Sequence, residues 1–463
     1  MSADRPGAGP LDLGRHRRIH VVGVGGAGMS AIATVLTRMG HEVSGSDLRE
    51  GPVLERLRAS GVRAVAGHDA ANLGDADVVT VSSAVSERNV EVVAARARGL
   101  AVHSRAETLA ALAAQRRCVA VSGTHGKTTT SSMLALALVE AGFSPSFLVG
   151  GDLPQVGTNA VWGEGEWIVV EADESDGTFL ELEAEVALVT NVEPDHLDHY
   201  GSLGALEAAF GRFLAGASGR AVVCADSPAA RRVAPAGALS YGFAEDADYR
   251  VTQLRGGRSE VSFTLDFAGE ALGEVELPVP GAHNALNAAG ALALCGVLGV
   301  PFADARRALA RFGGVARRFE FRGERNGVVF VDDYAHLPGE VAVALAAARR
   351  GGFGRIVCVF QPHRYSRTAA LGAAFADAFV GADLVVVTGV YAAGEEPLPG
   401  VSGALVAEAV RGAHPDQDVT YVPARGEVAA HLRRVLRPGD CCLTLGAGDL
   451  TGLPDELLGE SPW

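Results

Sequence analysis

Val121-Ser122-Gly123-Thr124-His125-Gly126-Lys127-Thr128-Thr129-Thr130 follows the apolar run Val119-Ala120-Val121 and leads into a helix-forming stretch. A strand, a glycine-rich turn and a helix in that order build a phosphate cradle, because free backbone N–H groups of the turn and of the helix N-terminus face an anion. Lys127 is the only lysine in 463 residues; every other basic side chain among the 40 Lys and Arg is arginine. A compact ammonium fits inside a tight phosphate loop where a planar guanidinium does not. A coding bias toward arginine would explain the scarcity alone, but the position of the survivor points to nucleoside triphosphate chemistry. Strict Walker spacing would place glycine at Val121, so this is a shorter form of the loop. Its expected nucleotide-binding residues are Gly123, Thr124, His125, Gly126, Lys127, Thr128 and Thr129. Lys127 would reach the β/γ oxygens, and the Thr128 hydroxyl would ligate Mg²⁺ (or Mn²⁺).

The same grammar recurs on either side, beginning at Ile19-His20-Val21-Val22 and near Val328-Val329-Phe330-Val331. Strands alternating with helical runs imply parallel sheets covered on both faces, an α/β protein. Further strands are expected at 78–82, 167–171, 186–190, 221–224, 356–360, 384–388 and 441–445. Helices are expected at 28–39, 88–98, 104–115, 128–141, 204–215, 284–298, 303–312, 339–350 and 368–380. Tyr249-Arg-Val-Thr-Gln-Leu and Ser262-Phe-Thr-Leu-Asp-Phe alternate in polarity around Arg255-Gly-Gly-Arg258, which reads as antiparallel hairpins added to the second domain. Boundaries fall near 116 and 314, giving domains 1–116, 117–313 and 314–463.

In the first domain Gly23-Val24-Gly25-Gly26-Ala27-Gly28 follows a strand and opens a helix, and Asp47 follows the next strand, Glu42-Val43-Ser44. That is the dinucleotide fingerprint in context. What such a turn recognises is a pyrophosphate, which NAD and a UDP-sugar both carry; a turn that binds nothing is the bland alternative. In the second domain the strand Val169-Val170 runs into Glu171-Ala172-Asp173-Glu174-Ser175-Asp176. A carboxylate at a strand end beside a phosphate loop is the usual second Mg²⁺ anchor. Thr190-Asn191-Val192-Glu193-Pro194-Asp195-His196-Leu197-Asp198-His199 ends another strand, and its Asn, Asp and His could hold a second cation or form a solvated acidic turn. Asn284 and Asn287 precede an Ala/Leu-rich helix; their amides suit an adenine edge or a helix cap. In the third domain Arg317-Arg318-Phe319-Glu320, Asp332-Asp333-Tyr334-Ala335-His336 and Gln361-Pro362-His363-Arg364-Tyr365-Ser366-Arg367-Thr368 put polar groups at strand C-termini, where open α/β sheets bind ligands. Arg364 and Arg367 could grip a carboxylate.

A formal charge of −15 argues against nucleic-acid or anionic-membrane partners. Hydrophobic content of 48% and charged content of 21% describe a globular chain with ample core. Met1 to Pro10 shows no apolar signal segment, and no apolar run is long enough to span a bilayer. Cys118, Cys224, Cys295, Cys358, Cys441 and Cys442 form no CxxC pair and lie mostly in apolar runs, which suggests reduced core thiols in the cytoplasm.

Taken in order, Gly-Val-Gly-Gly-Ala-Gly-Met-Ser, Gly-Thr-His-Gly-Lys-Thr-Thr-Thr, Glu-Ala-Asp-Glu-Ser-Asp, Asp-His-Leu-Asp-His-Tyr, His-Asn-Ala-Leu-Asn, Arg-Arg-Phe-Glu, Asp-Asp-Tyr-Ala-His and Gln-Pro-His-Arg-Tyr-Ser-Arg-Thr resemble the Mur ligases from about Ile19 to about Asp449. The resemblance, closest to the alanine-adding branch, implies a Rossmann-like UDP-sugar domain, a central P-loop ATPase α/β domain with added antiparallel strands, and a Rossmann-like amino-acid domain. It implies ATP-dependent ligation of L-alanine to the lactyl carboxylate of UDP-N-acetylmuramate through an acyl phosphate, in peptidoglycan precursor synthesis, by a monomer or homodimer. Lys127, Glu171 and His196 would carry the catalysis, and Thr128, Glu171 and His196 the metal. Asn284, Asn287, Arg318 and Asp333 would add to the ATP site. Gly23, Gly25, Gly26, Gly28, Met29, Ser30, Asp47, Ser82 and Ser83 would line the UDP-sugar site. Tyr334, His336, His363, Arg364 and Arg367 would line the alanine end. Where the family usually has His-His-Pro, this chain has His336-Leu337-Pro338. Several siblings use a carbamylated lysine near the metals; with no second lysine, this chain would rely on Glu171 and His196. Domain closure is expected, because residues from all three segments must meet. The rival readings are the sibling that recycles an intact peptide onto the same sugar nucleotide, a folylpolyglutamate synthetase (which shares the short loop but not the first domain), an NAD-dependent oxidoreductase and a non-catalytic nucleotide sensor.

Overall fold

The structure, a computed structural model, describes residues 10–175, 177–257 and 260–459, without the side chains of Leu197, Asp198 and Arg350. Asp176, Arg258 and the Asp198 side chain, singled out above, lie outside the described residues, as does the stretch before Pro10. Three sheets follow one another along the chain. The first has the order Arg63–Ala66, Glu42–Asp47, Arg18–Val22, Val78–Val81, Ala101–Ser104, all parallel. Ile19, Val21 and Val22 are buried because helices cover both faces. The strand order reverses at Arg18–Val22, so the turn after Val22 opens into the crevice at the strand C-termini.

The second sheet sets Arg117–Ser122 between Val186–Val189 and Trp167–Glu171, all parallel. Tyr249–Gly256, Val261–Phe267 and Glu270–Leu277 extend it at one edge. The last two are joined by two residues, too short for a parallel crossover, so they form a hairpin. The two strands expected to pair around Arg255–Arg258, Tyr249–Gly256 and Val261–Phe267, are neighbours in the sheet, and the turn between them lies partly outside the described residues. The third sheet runs Glu320–Arg325, Val328–Asp333, Asp440–Leu445, Arg355–Phe360, Leu384–Thr388, Val419–Val422; its first pair is antiparallel and the rest are parallel.

The first two sheets form one compact unit, and the second unit holds the chain from Gly314 onward. One apolar cluster runs through the first unit: Met29 and Leu36 of the helix Ala27–Arg38 share it with Leu148, Ala160 and Val170 of the second sheet. The third domain buries separate clusters on the two faces of its sheet. All six cysteines are free and buried. Among the described residues no helix is long and apolar enough to cross a membrane.

The helix expected over 368–380 is instead Tyr365–Leu371 followed by a 3₁₀ turn, Gly372–Phe375. Glycine has poor helix propensity, and the chain tightens where Gly372 interrupts the run. Elements missed from sequence include the helices Pro52–Ala59, Ala404–Ala413 and Arg425–Val435 and the edge strands Arg63–Ala66 and Val419–Val422.

Candidate active site

Register places Val121 beside Glu171 and Ser122 beside Val189. The loop after Ser122 therefore emerges between Glu171 and the Thr190-Asn191 turn. Gly123 has φ 133° and Gly126 φ 83°, values only glycine adopts freely. A Cβ at Gly123 would collide with the Thr190 hydroxyl, and one at Gly126 with the Asn287 amide oxygen. Asn191 grips His125 from both sides: its Oδ1 accepts from His125 N at 2.8 Å and its Nδ2 donates to His125 O at 3.0 Å. The side chain read as a possible cation ligand is thus committed to holding the loop. Glu193 N adds a bond to Thr124 Oγ1 at 2.9 Å.

Lys127 opens the helix Lys127–Glu140 and folds back into the loop, where Nζ donates to Gly123 O at 2.6 Å. The same ammonium lies 2.8 Å from Glu174, which is 1% exposed. Burial works to lower the Lys127 pKa, but Glu174, Asp173 and Glu171 together raise it, so the amine is held charged. Beside it, Thr128 Oγ1 donates to Glu171 Oε1 at 2.9 Å, and Gly150 N donates to Glu171 Oε2 at 2.5 Å. A hydroxyl and a carboxylate oxygen side by side suit Mg²⁺, which takes one or two protein oxygens and completes its shell with water and phosphate. His196 has φ 52°, and its Nε2 lies 3.5 Å from Asp195 and 3.9 Å from Glu174. Among the described residues no three His, Cys, Asp or Glu side chains gather into a preformed metal cage. Thr129 continues the helix, and Thr130 Oγ1 donates to Asn287 Oδ1 at 3.3 Å. Asn287 Nδ2 donates to Asn284 Oδ1 at 3.4 Å. Both asparagines are buried, and Asn287, held by Asn284, ties the loop's helix to the helix Ala282–Leu298.

In the first domain Gly23 N and Val24 N both donate to Ser46 O, at 2.8 and 2.9 Å. Gly25 N donates to Asp47 Oδ2 at 2.8 Å, and a Cβ on Gly25 would touch that carboxylate. Gly26 precedes the helix in extended conformation, and Ser30 Oγ donates back to Ala27 O at 3.0 Å. Ser82 packs against Gly23, and Ser83 is exposed. Met29, expected at the UDP-sugar site, is 2% exposed and packs in the core. Gly28 faces Arg105, whose guanidinium also reaches Asp173, just after the strand Trp167–Glu171, at 3.6 Å.

In the third domain Asp333 accepts from Phe319 N and Ala335 N, each at 2.7 Å. It thereby fixes the turn in which Arg317 and Phe319 are left-handed, and burial pushes its carboxyl up to about 6. Arg317 and Arg318 lie over the Tyr334 ring, at 4.8 and 5.6 Å. His336 packs edge-on against Tyr334 and His363. His363 stacks on Tyr391 with rings 12° apart, and its Nδ1 lies 3.1 Å from Arg367 NH1. Burial first, then the nearby His336, Arg367 and Arg364, lower the His363 pKa to about 4. A neutral ring can accept from Arg367, so the pair is self-consistent. Arg364 is exposed and starts the helix Tyr365–Leu371 with φ 67°. Arg364 and Arg367 are thus not a matched fork here, since Arg367 is turned to His363.

Three family profiles cover the chain in order: Mur ligase family, catalytic domain, over 18–117; Mur ligase middle domain over 121–295; and Mur ligase, glutamate ligase domain, over 317–448. The chain belongs to the Mur ligase family. It is 48% identical to a UDP-N-acetylmuramate–L-alanine ligase of Anaeromyxobacter dehalogenans, over 96% of this chain and 98% of the relative. It is 47% identical to one of Rubrobacter xylanophilus, over 95% and 99%. The crystal structure of the UDP-N-acetylmuramate-alanine ligase MurC from Thermotoga maritima superposes with TM-score 0.82 at 30% identity, covering 96% of this chain and 98% of that one. A murein peptide ligase from Psychrobacter arcticus gives TM-score 0.71 at 25% identity, over 96% and 98%.

This Mur ligase also uses residues that sequence reading left out of the site. Glu174 pairs with Lys127, yet it sits in an acidic run that marks none of its members. Glu340 accepts from His336 N at 2.9 Å and Leu337 N at 3.1 Å, so position 337 serves the start of the helix Pro338–Arg350 through its backbone. The acid three residues after a helix entry was the available signal. Tyr391 and Arg105 carried none beyond residue type.

Proposed function

We propose that this Mur ligase joins L-alanine to the lactyl carboxylate of UDP-N-acetylmuramate, converting ATP to ADP and phosphate. The observation that carries the reading is near-full-length identity of 43–48% to relatives named for that reaction. Residues 1–116 would bind the sugar nucleotide, 117–313 ATP, and 314–463 the amino acid. A carboxylate is a poor acyl donor. Its oxygen attacks the γ-phosphorus and ADP departs, leaving an acyl phosphate. The alanine amine adds to the carbonyl carbon, and the tetrahedral intermediate expels phosphate as the amide forms. The loop amides and Lys127 hold and neutralise the phosphate chain, so catalysis is chiefly positioning and charge compensation. Thr128 and Glu171, and His196 as a further ligand, would hold Mg²⁺, which when bound neutralises charge on the phosphates. Six unpaired, buried cysteines support a reducing, cytoplasmic setting.

The test is phosphate release from ATP with UDP-N-acetylmuramate, comparing L-alanine, glycine, L-serine and a tripeptide. Release that requires L-alanine is expected. Preference for the tripeptide would move the chain to the peptide-recycling reading, and indifference to the amino acid would overturn both.

A further inference from the structure

Glu91 lies in the helix Val90–Ala97 and is 0% exposed, an unusual place for an acid outside the phosphate sites. Its Oε2 accepts from Ser46 Oγ at 2.5 Å and lies 3.1 Å from His68 Nδ1 and 3.6 Å from His20 Nε2. Its Oε1 accepts from Asn72 Nδ2 at 2.6 Å and Asp69 N at 3.2 Å. Burial opposes the charge, but the neighbouring His20 and the Ser46 and Asn72 donors outweigh it and hold the carboxyl at about 2. Filling such a site with an apolar side chain of similar volume is often no less stable, so a buried charge calls for a reason other than stability.

The reason lies in what its partners hold. Ser46 is the residue whose carbonyl takes Gly23 N and Val24 N, and its neighbour Asp47 takes Gly25 N. Asn72 also donates to Gly67 O at 3.1 Å, and Gly67 N donates to Asp47 O at 2.7 Å. The ends of the strands Glu42–Asp47 and Arg63–Ala66 are therefore tied through one carboxylate, directly beneath the glycine turn.

We propose that Glu91 is a positioning residue for the sugar-nucleotide site, acting through Ser46 to hold the Gly23–Gly25 turn in its pyrophosphate-binding shape. The proposal rests on the sugar-nucleotide reading of that turn. The experiment compares Glu91→Gln, Ser46→Ala and the double variant with wild type, in steady-state kinetics and in calorimetric binding of UDP-N-acetylmuramate. Each single variant is expected to raise KM and Kd for UDP-N-acetylmuramate about tenfold, the size of one hydrogen bond to a charged group. kcat and the KM values for ATP and L-alanine should stay within twofold. The double variant should be no worse than the worse single variant, because the two residues act in series. Ser46→Ala removes only a hydroxyl, so it reports even where Glu91→Gln folds poorly. Unchanged sugar-nucleotide affinity in Ser46→Ala, a parallel rise in all three KM values, or additive effects would overturn the proposal. Wild-type protein that fails to bind UDP-N-acetylmuramate would overturn the sugar-nucleotide reading along with it, whereas intact wild-type binding with unaffected variants overturns the proposal alone.

Discussion

A guanidinium at position 127 keeps the charge but needs room that the loop does not have, since Lys127 Nζ already touches Gly123 O at 2.6 Å. Lys127→Arg is therefore expected to lower ADP formation about 100-fold or more, read by a coupled ADP assay. Glu174 is the other half of that contact. Glu174→Ala takes from the enclosed ammonium the nearest of the carboxylates that hold it charged and should cost about 3 kcal/mol of stability in urea unfolding without nucleotide. In the third domain two groups titrate away from their ordinary ranges. His363, lowered to about 4, is neutral at physiological pH. Its contribution to stability is present above the usual histidine range and is lost as pH falls through 4. Asp333, raised to about 6, behaves in the opposite sense: its contribution is present below the usual carboxylate range and is lost as pH rises through 6. NMR titration of the folded protein should give midpoints near those values; a His363 midpoint near 6.5 would contradict the half-buried stack with Tyr391.

At the scale of elements, the phosphate loop takes its shape from its neighbours, and Asn191 is the main tether. Asn191→Ala frees the N–H of His125 and leaves its carbonyl to the Thr190 hydroxyl alone, and ATP affinity should fall about tenfold in a nucleotide-binding titration. This element also marks how far the sequence could be read. The strand-turn-helix grammar located Arg18–Val22, Arg117–Ser122 and Val328–Asp333, because buried parallel strands are continuous apolar runs bounded by glycine. Arg63–Ala66 and Val419–Val422 escaped, since edge strands are short and mix polar with apolar positions. Residues whose chemistry is local, such as Lys127 and Thr128, were legible. Glu91, Glu174 and Tyr391 were not: each meets its partners only through tertiary packing, and nothing in its flanking sequence records that.

For the whole molecule, the shared apolar cluster makes the first two domains a single cooperative body, while the third domain has cores of its own. Met29→Ala, in the first domain's helix, should cost about 2–5 kcal/mol. In calorimetry it should lower the transition of both first domains together and leave a separate third-domain transition in place. A transition confined to the first domain would show that the cluster does not couple them. One property belongs to the chain as a whole. Its entire complement of side-chain amines is a single group, 14% exposed and closed over by Glu174. Apart from the N-terminal amine, an amine-directed acylating reagent has one place to react, and the ion pair must open first. The rate of that labelling is thus a clock for opening of the loop, its end point counts intact phosphate sites per molecule, and bound nucleotide should stop it.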